Sequence, residues 1–176
     1  MRIRIMGVAL LAAGLSGCAA VDAGSNSTAP RRTATAQLQT ATGQEIGQAS
    51  VREEKDGLRM TLEVHGLPAG VHGAHIHAIG KCEAPGFASA AGHWNPTASQ
   101  HGAHNPAGPH RGDLPNLIVG ADGRGTLGVL VPAAVFDEML DADGATMIVH
   151  AAADDLATDP SGNSGARLAC GVFVQG

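Results

Sequence analysis

Residues 58–65 read Leu-Arg-Met-Thr-Leu-Glu-Val-His, an unbroken alternation of apolar and polar side chains. Successive side chains of a β-strand point to opposite faces of a sheet, so this period of two predicts a strand with one buried face. The preceding pair, Asp56-Gly57, is a strong hairpin signal. Two more Asp-Gly pairs, at 122–123 and 143–144, also lie between short apolar segments. The sequence therefore predicts strands joined by tight turns.

Eight segments have the composition of strands, and no segment has the period of an amphipathic helix. The predicted strands are residues 34–39, 46–53, 58–65, 71–78, 114–119, 126–131, 146–150 and 167–174. Residues 133–140 are expected to form at most a turn. Many short strands with glycine-rich turns predict an all-β fold, an eight-stranded antiparallel sandwich or barrel. Residues 79–113 and 151–166 do not fit the pattern, and two loops of that length are expected to be functional.

Length and composition exclude several classes of protein. The 176 residues suit one domain of ordinary size. Charged residues make up 15% of the chain, which excludes a coiled coil or a charged helical solenoid. The net charge is −5 and only 2% of the residues are aromatic, so we expect no nucleic-acid partner. The unusual feature is the presence of nine histidines in a chain with so little charge.

The N-terminus has the pattern of a secretion signal. Arg2 and Arg4 precede an apolar run at residues 5–15, which is too short to span a bilayer but suits a signal peptide. The run ends in Leu-Ser-Gly-Cys18, which resembles the cleavage and lipidation signal of bacterial lipoproteins. We therefore expect a signal peptide at 1–17, a lipidated Cys18 with a flexible tether at 18–32, and a folded domain at 33–176. The alternative is an ordinary signal peptide cleaved near residues 19–20, which would remove Cys18.

The spacing of the histidines predicts a metal site. His75 and His77 alternate on a predicted strand, so both rings leave the same face of the sheet. That pair alone is weak evidence, because such histidines are more often solvated. Further candidate ligands lie in the first long loop and at the end of a later strand: His93, His101, His110, Asp113 and His150. Imidazole nitrogen suits copper and zinc, and an added carboxylate favours zinc.

The chain resembles copper/zinc superoxide dismutases of the bacterial secreted type. The matching segments are residues 72–77, 92–96, 108–116, 150–155 and 163–172. They occur in the family's order, and the resemblance covers residues 33–176. It implies an eight-stranded Greek-key β-sandwich or barrel, an architecture known for this enzyme. It also implies that the chain disproportionates superoxide to oxygen and hydrogen peroxide. The lipoprotein-type signal implies that it does so in the cell envelope, in the periplasm and anchored by lipid to the outer membrane.

The resemblance assigns a role to each candidate residue. The implied copper ligands are His75, His77, His93 and His150. The implied zinc ligands are His93, His101, His110 and Asp113, with the His93 ring bridging both ions. Asp154 is implied to hold a copper histidine and a zinc histidine at once. Arg167 is implied to orient the superoxide anion at the mouth of the copper site.

The remaining histidines and cysteines receive other interpretations. His72 matches a structural position of the family, His65 is expected to be solvated, and spacing favours His101 over His104 as a ligand. With Cys18 assigned to lipid, an oxidising compartment permits a disulfide between Cys82 and Cys170. A homodimer is left open. The alternative function is that of an envelope lipoprotein of the same fold that binds copper and zinc without turnover, but the copper ligands and Arg167 are all present.

Overall fold

A computed structural model describes residues 31–176, so the predicted signal peptide and Cys18 lie outside the described residues. The strands are β1 Thr33–Thr40, β2 Glu45–Glu54, β3 Gly57–Val64, β4 Gly70–His72, β5 Ala74–His77, β6 Leu117–Val119, β7 Gly125–Pro132, β8 Thr146–His150, β9 Arg167–Val172 and β10 Val174–Gln175. The helix α1 spans Phe136–Met139, and a single 3-10 turn spans Ala88–Ala90. Within the described residues, no helix is long and apolar enough to cross a membrane.

The strands form one antiparallel sheet that is nearly closed into a barrel. Their order is β4-β6-β7-β3-β2-β1-β9-β8-β5, and β10 pairs with β1. The two ends of this order, β4 and β5, are consecutive in the chain and are separated only by Gly73. The non-consecutive neighbours β3–β7 and β1–β9 are the crossovers of a Greek-key arrangement. The predicted all-β antiparallel Greek-key fold is confirmed.

All eight predicted strand segments contain a strand, but two of them are divided, which gives ten strands. The predicted strand at 71–78 is interrupted at Gly73, whose N–H donates to Ala152 O at 2.8 Å. A Cβ on Gly73 would lie 2.7 Å from Ser164 Oγ, so the second long loop packs directly on this backbone. The predicted strand at 167–174 is interrupted at Phe173, whose N–H bonds to Ala145 O at 3.0 Å. Local periodicity does not reveal such loop contacts.

The alternation in β3 produces the predicted two-sided strand. Leu58, Met60 and Leu62 are buried in the core, whereas Arg59 and Glu63 are exposed. The core is mostly aliphatic, since the chain has one tryptophan and three phenylalanines. Instead of the turn expected at 133–140, the one-turn helix α1 buries its Phe136 against the barrel.

Strand β5 presents one face to the barrel core and the other to the long loops. Ala74 and Ile76 belong to the main hydrophobic cluster, while His75 and His77 alternate with them on the opposite face. All four side chains are buried, because residues 79–113 and 151–166 cover the histidine face. The fold therefore encloses a histidine-lined region between the barrel wall and two loops.

Candidate metal centre

Two bridges between backbone segments bring the first long loop against β5. His75 pairs with Asp113 and His77 pairs with His93, in both cases antiparallel. Gly112 is needed for this approach, since a Cβ on it would lie 2.3 Å from Ile76 O. The loop therefore delivers its own histidines and a carboxylate to the strand that carries the first pair.

One cluster, the four-histidine group, consists of His75, His77, His93 and His150. Each residue offers one ring nitrogen, and these atoms all lie within 4.8 Å of one another. The facing atoms are Nδ1 of His75 and Nε2 of the other three rings, and each is buried without a hydrogen-bond partner. Buried polar atoms are normally hydrogen-bonded, so four converging unpaired nitrogens indicate a missing ligand. A metal ion that accepts four nitrogen lone pairs satisfies all of them.

The other ring nitrogen of these histidines is held by the protein. His77 Nδ1 donates to Ala91 O at 2.9 Å, and His150 Nδ1 donates to Gly165 O at 3.2 Å. His75 Nε2 donates to Asp154 Oδ2 at 2.7 Å. A ring whose N–H is committed in this way presents a lone pair on its second nitrogen. The backbone and Asp154 thus set the tautomers that metal binding requires.

A second cluster, the histidine–carboxylate group, consists of His93, His101, His110 and Asp113. The Nδ1 atoms of the three rings surround the Asp113 carboxylate at 2.8, 3.0 and 3.1 Å respectively. His101 Nδ1 is within range of Asp113 Oδ2 but lacks hydrogen-bond geometry. Three imidazoles and one carboxylate facing one point are the donor set of a zinc site.

His93 belongs to both groups. Its Nε2 faces the four-histidine group and its Nδ1 faces Asp113. The centroid of its ring lies 4.0 Å from that of His75 and 5.1 Å from that of His101, one member of each group. A single imidazole therefore separates two candidate metal positions and is able to contact both.

Asp154 joins the two groups from behind. Its Oδ2 accepts from His75 Nε2 at 2.7 Å, and its Oδ1 accepts from His101 Nε2 at 3.0 Å. The backbone of Asp154 is fixed in turn by the Asn116 side chain, which donates to its C=O and accepts from its N–H, both at 2.8 Å. One carboxylate thus orients a ring in each group, as outer partners of metal ligands commonly do.

Three histidines of the site and the carboxyls of Asp113 and Asp154 have pKa values below their ordinary range. Burial lowers the pKa of His77 to about 2, of His150 to about 3 and of His93 to about 4, and neighbouring histidines add to the effect. Burial opposes ionisation of Asp154, but hydrogen bonds from His75 and His101 lower its pKa to about 2. Neutral imidazole and ionised carboxylate are the forms that bind metals.

Acid is therefore expected to destabilise the metal-free protein. The unfolded chain binds protons on these histidines below about pH 6.5, whereas the folded chain does not until about pH 4 or lower. The free energy of unfolding should fall as pH drops through this window, by about 1.4 kcal/mol per pH unit for each histidine charged only in the unfolded state. Urea unfolding of the metal-free chain between pH 7 and 4 measures this change in the free energy of unfolding. A stability that is flat over this range would contradict the expectation.

Arg167 lies at the opening of the site. It donates to Phe87 O at 2.5 Å and to Ala91 O at 2.6 Å, so two loop carbonyls fix the guanidinium. With His77, His93 and His150 it lines a cleft of about 420 Å³. A small anion entering this cleft meets a positive charge beside the four-histidine group.

Comparison with known families agrees with this arrangement. The sequence model of the family described as copper/zinc superoxide dismutase (SODC) matches residues 45–173. The chain belongs to the copper/zinc superoxide dismutase family. The resemblance inferred from the sequence motifs is thereby confirmed.

Individual members of the copper/zinc superoxide dismutase family support the assignment. The superoxide dismutase (Cu-Zn) of Deinococcus radiodurans is 40% identical and covers 94% of both chains. That of Caulobacter vibrioides is 41% identical over 80% of this chain and 84% of its own. The crystal structure of a SOD-like protein from Bacillus subtilis has a TM-score of 0.75 and 39% identity, covering 80% of this chain and 97% of that chain.

The structure of this family member brings together every candidate ligand predicted from its sequence. Of the remaining histidines, His65 and His104 are exposed and belong to neither group. His72 is buried and its two ring nitrogens lie 2.8 and 2.9 Å from the carbonyl oxygens of His150 and Pro68, a structural position. The predicted disulfide is confirmed, since Cys82 and Cys170 are bonded.

Three residues of the copper/zinc superoxide dismutase fold support the site without being identified by sequence reasoning. Asn116 was included in a matching segment but received no role, although it fixes Asp154. Gly162 leaves no room for a side chain, because a Cβ would lie 1.8 Å from Asp154 Oδ1. Ala91 has φ +62°, and its carbonyl accepts from both His77 and Arg167. Sequence reasoning could not find these residues, because an asparagine, a glycine and an alanine at these positions form no spacing that is typical of a site.

Proposed function

We propose that the chain is an enzyme that disproportionates superoxide, using copper in the four-histidine group and zinc in the histidine–carboxylate group. The observation that carries the proposal is the sharing of His93 by two converging ligand sets. Family membership supports the same activity, and the chain has both the complete copper set and Arg167. The non-catalytic alternative is not favoured, because nothing required for turnover is missing.

The donor atoms favour this assignment of the two metals. Four imidazole nitrogens suit copper, whereas three imidazoles with a carboxylate are typical of zinc. The four unpaired nitrogens of the four-histidine group fit a bound ion, and the outer nitrogens of His75, His77 and His150 can keep their hydrogen bonds when it binds. When bound, copper supplies one-electron chemistry that oxidises one superoxide to oxygen and reduces a second to hydrogen peroxide, and zinc supplies a fixed charge without redox activity.

The protein's own residues bind the anion and handle protons. Arg167 attracts and orients superoxide, because its guanidinium is fixed by two carbonyls and faces the cleft. His93 Nε2 can hold a proton or a metal, and we assign to it the delivery of one of the two protons that convert the reduced substrate to hydrogen peroxide, with water supplying the other.

The test is superoxide consumption by the chain loaded with both metals, with zinc alone or with copper alone. We expect fast consumption that depends strictly on copper, and no activity with zinc alone. Inductively coupled plasma mass spectrometry should find one copper and one zinc per chain. Failure of the copper-loaded chain to consume superoxide while it retains both metals would favour the metal-binding alternative.

Replacement of Arg167 by alanine is expected to lower the rate by about tenfold or more at low salt, since a fixed positive charge in a cleft raises the encounter rate with an anion. The chain offers little other steering charge, with Lys55 and Lys81 as its lysines and a net charge of −5. The salt dependence of the rate should weaken together with the rate. Arg59→Ala removes an exposed arginine from β3 and is the matched control. Equal losses in both variants would contradict a specific role for Arg167.

We also propose that the protein is a lipoprotein of the bacterial envelope, anchored to the outer membrane through Cys18 and facing the periplasm. The support is the sequence Leu-Ser-Gly-Cys18 after an apolar run, and the predicted tether at 18–32. Mass spectrometry of the N-terminal peptide should find acyl chains on Cys18, and Cys18→Ser should release the protein from the membrane fraction. An unmodified mature N-terminus beyond residue 18 would contradict the proposal.

A homodimer is proposed at the β4–β6 edge of the barrel. Val71 and Ile118 are directly opposite each other on these strands and are 45% and 70% exposed. The adjoining turn carries Asp122 and Arg124, whose opposite charges suit a two-fold interface in which the same patch meets itself. Sedimentation should find a dimer that Ile118→Glu dissociates, whereas Val174→Glu, at another exposed valine, should not. A monomeric parent chain would contradict the proposal.

A further inference from the structure

The second long loop contains an acidic residue, Asp159, whose contacts all point toward the histidine–carboxylate group. Its Oδ1 accepts the backbone N–H of His101 at 2.6 Å. The same oxygen lies 3.9 Å from Nε2 of His110. One carboxylate oxygen therefore faces the backbone of one candidate zinc ligand and the ring of another.

In each ring of the histidine–carboxylate group, Nδ1 faces Asp113 and Nε2 is the outer nitrogen. His101 Nε2 donates to Asp154, and His93 Nε2 faces the four-histidine group. His110 contacts Asp113 through Nδ1, so its Nε2 is the outer nitrogen, and Asp159 is the anion nearest to it. At 3.9 Å this is an electrostatic contact and not a hydrogen bond. An anion at that position favours the Nε2–H tautomer, which leaves Nδ1 free to bind zinc.

Close packing of the two loops holds Asp159 at this position. Gly102 follows His101 and has φ +101°, and a Cβ on it would lie 2.3 Å from Leu156 O. The N–H of His104 also donates to Leu156 O, at 2.8 Å. Both contacts join the first loop to Leu156, which lies three residues before Asp159 in the second loop. This packing fixes the backbone next to Asp159.

We propose that Asp159 is a positioning residue of the zinc site, fixing His101 through its backbone and His110 through its ring. The inference rests on the proposed zinc assignment of this group. It adds a third carboxylate, after Asp113 and Asp154, around a divalent ion.

Zinc affinity of the metal-free chain, measured by competition with a chelator, tests the inference. We expect Asp159→Ala to weaken zinc binding by about 10- to 100-fold, the range found for outer partners of metal ligands. Asp159→Asn keeps an oxygen for the His101 N–H but loses the charge facing His110, so it should weaken zinc binding less than Asp159→Ala does. Glu63→Gln removes an exposed carboxylate from β3 and should have no effect.

Two further readouts separate positioning from a general effect on folding. Zinc should raise the thermal midpoint of Asp159→Ala less than that of the parent, while the metal-free midpoints stay close. Copper affinity should change little, because Asp159 has no contact with the four-histidine group. Unchanged zinc affinity in Asp159→Ala, or an equal loss of midpoint with and without zinc, would overturn the inference. A parent chain that binds no zinc would instead refute the proposed metal assignment.

Discussion

His150→Ala is expected to reduce copper-dependent superoxide consumption to below about 1% of the parent rate. The loss of an outer partner already costs 10- to 100-fold in metal affinity or activity, and His150 offers a direct ligand atom. Its Nε2 is one of four buried nitrogens that have no other partner. Without His150, only the nitrogens of His75, His77 and His93 would remain to hold copper. Pulse radiolysis of the metal-loaded variant measures the rate.

Zinc binding provides the internal control for this variant. His150 is absent from the histidine–carboxylate group, so the variant should bind one zinc with near-parent affinity. Retained zinc and an unchanged circular dichroism spectrum would show that the fold has survived. His104→Ala removes an exposed histidine of the first loop and should keep full activity. Full activity in His150→Ala would refute the copper assignment.

Removal of the Cys82–Cys170 disulfide is expected to have the largest effect on stability. The bond joins residues 88 positions apart, and the chain-entropy model gives about 4 to 5 kcal/mol for a loop of that length. This is a large share of the 5 to 15 kcal/mol that typically separates folded from unfolded states. Urea unfolding of Cys82→Ser/Cys170→Ser, compared with the oxidised parent, measures the loss.

The same variant should also lose activity, for a separate structural reason. The disulfide packs in a small cluster in which Phe87 and Ala90 lie with Ile148 of β8. The segment carrying Phe87 also supplies the carbonyls that fix Arg167. Without the bond the guanidinium should become mobile, and the rate and its salt dependence should fall together. Parent protein treated with reductant should match the variant, and a variant as stable as the oxidised parent would contradict both expectations.

The sequence predicted the fold because its information is local and repetitive. The alternation at residues 58–65 determines which side chains of β3 face the core, and Asp-Gly pairs mark the turns. Strand ends were predicted less well, since Gly73 and Phe173 leave the ladder to bond with distant segments. The closure of the barrel determines which segments meet Gly73 and Phe173. A short window of sequence contains no information about these distant contacts.

The sequence by itself determined the kinds of atoms available for chemistry: seven candidate ligand residues in one long loop and two strands, and two cysteines. The tertiary structure decided which of their nitrogens are free, because Ala91 O, Gly165 O and Asp154 each engage one ring nitrogen and leave the other unpaired. It also brought Asp159 to His101 and His110, although they are about fifty residues apart in the chain. Ligand identity is a property of residue type, whereas tautomer and direction depend on contacts that exist only after folding.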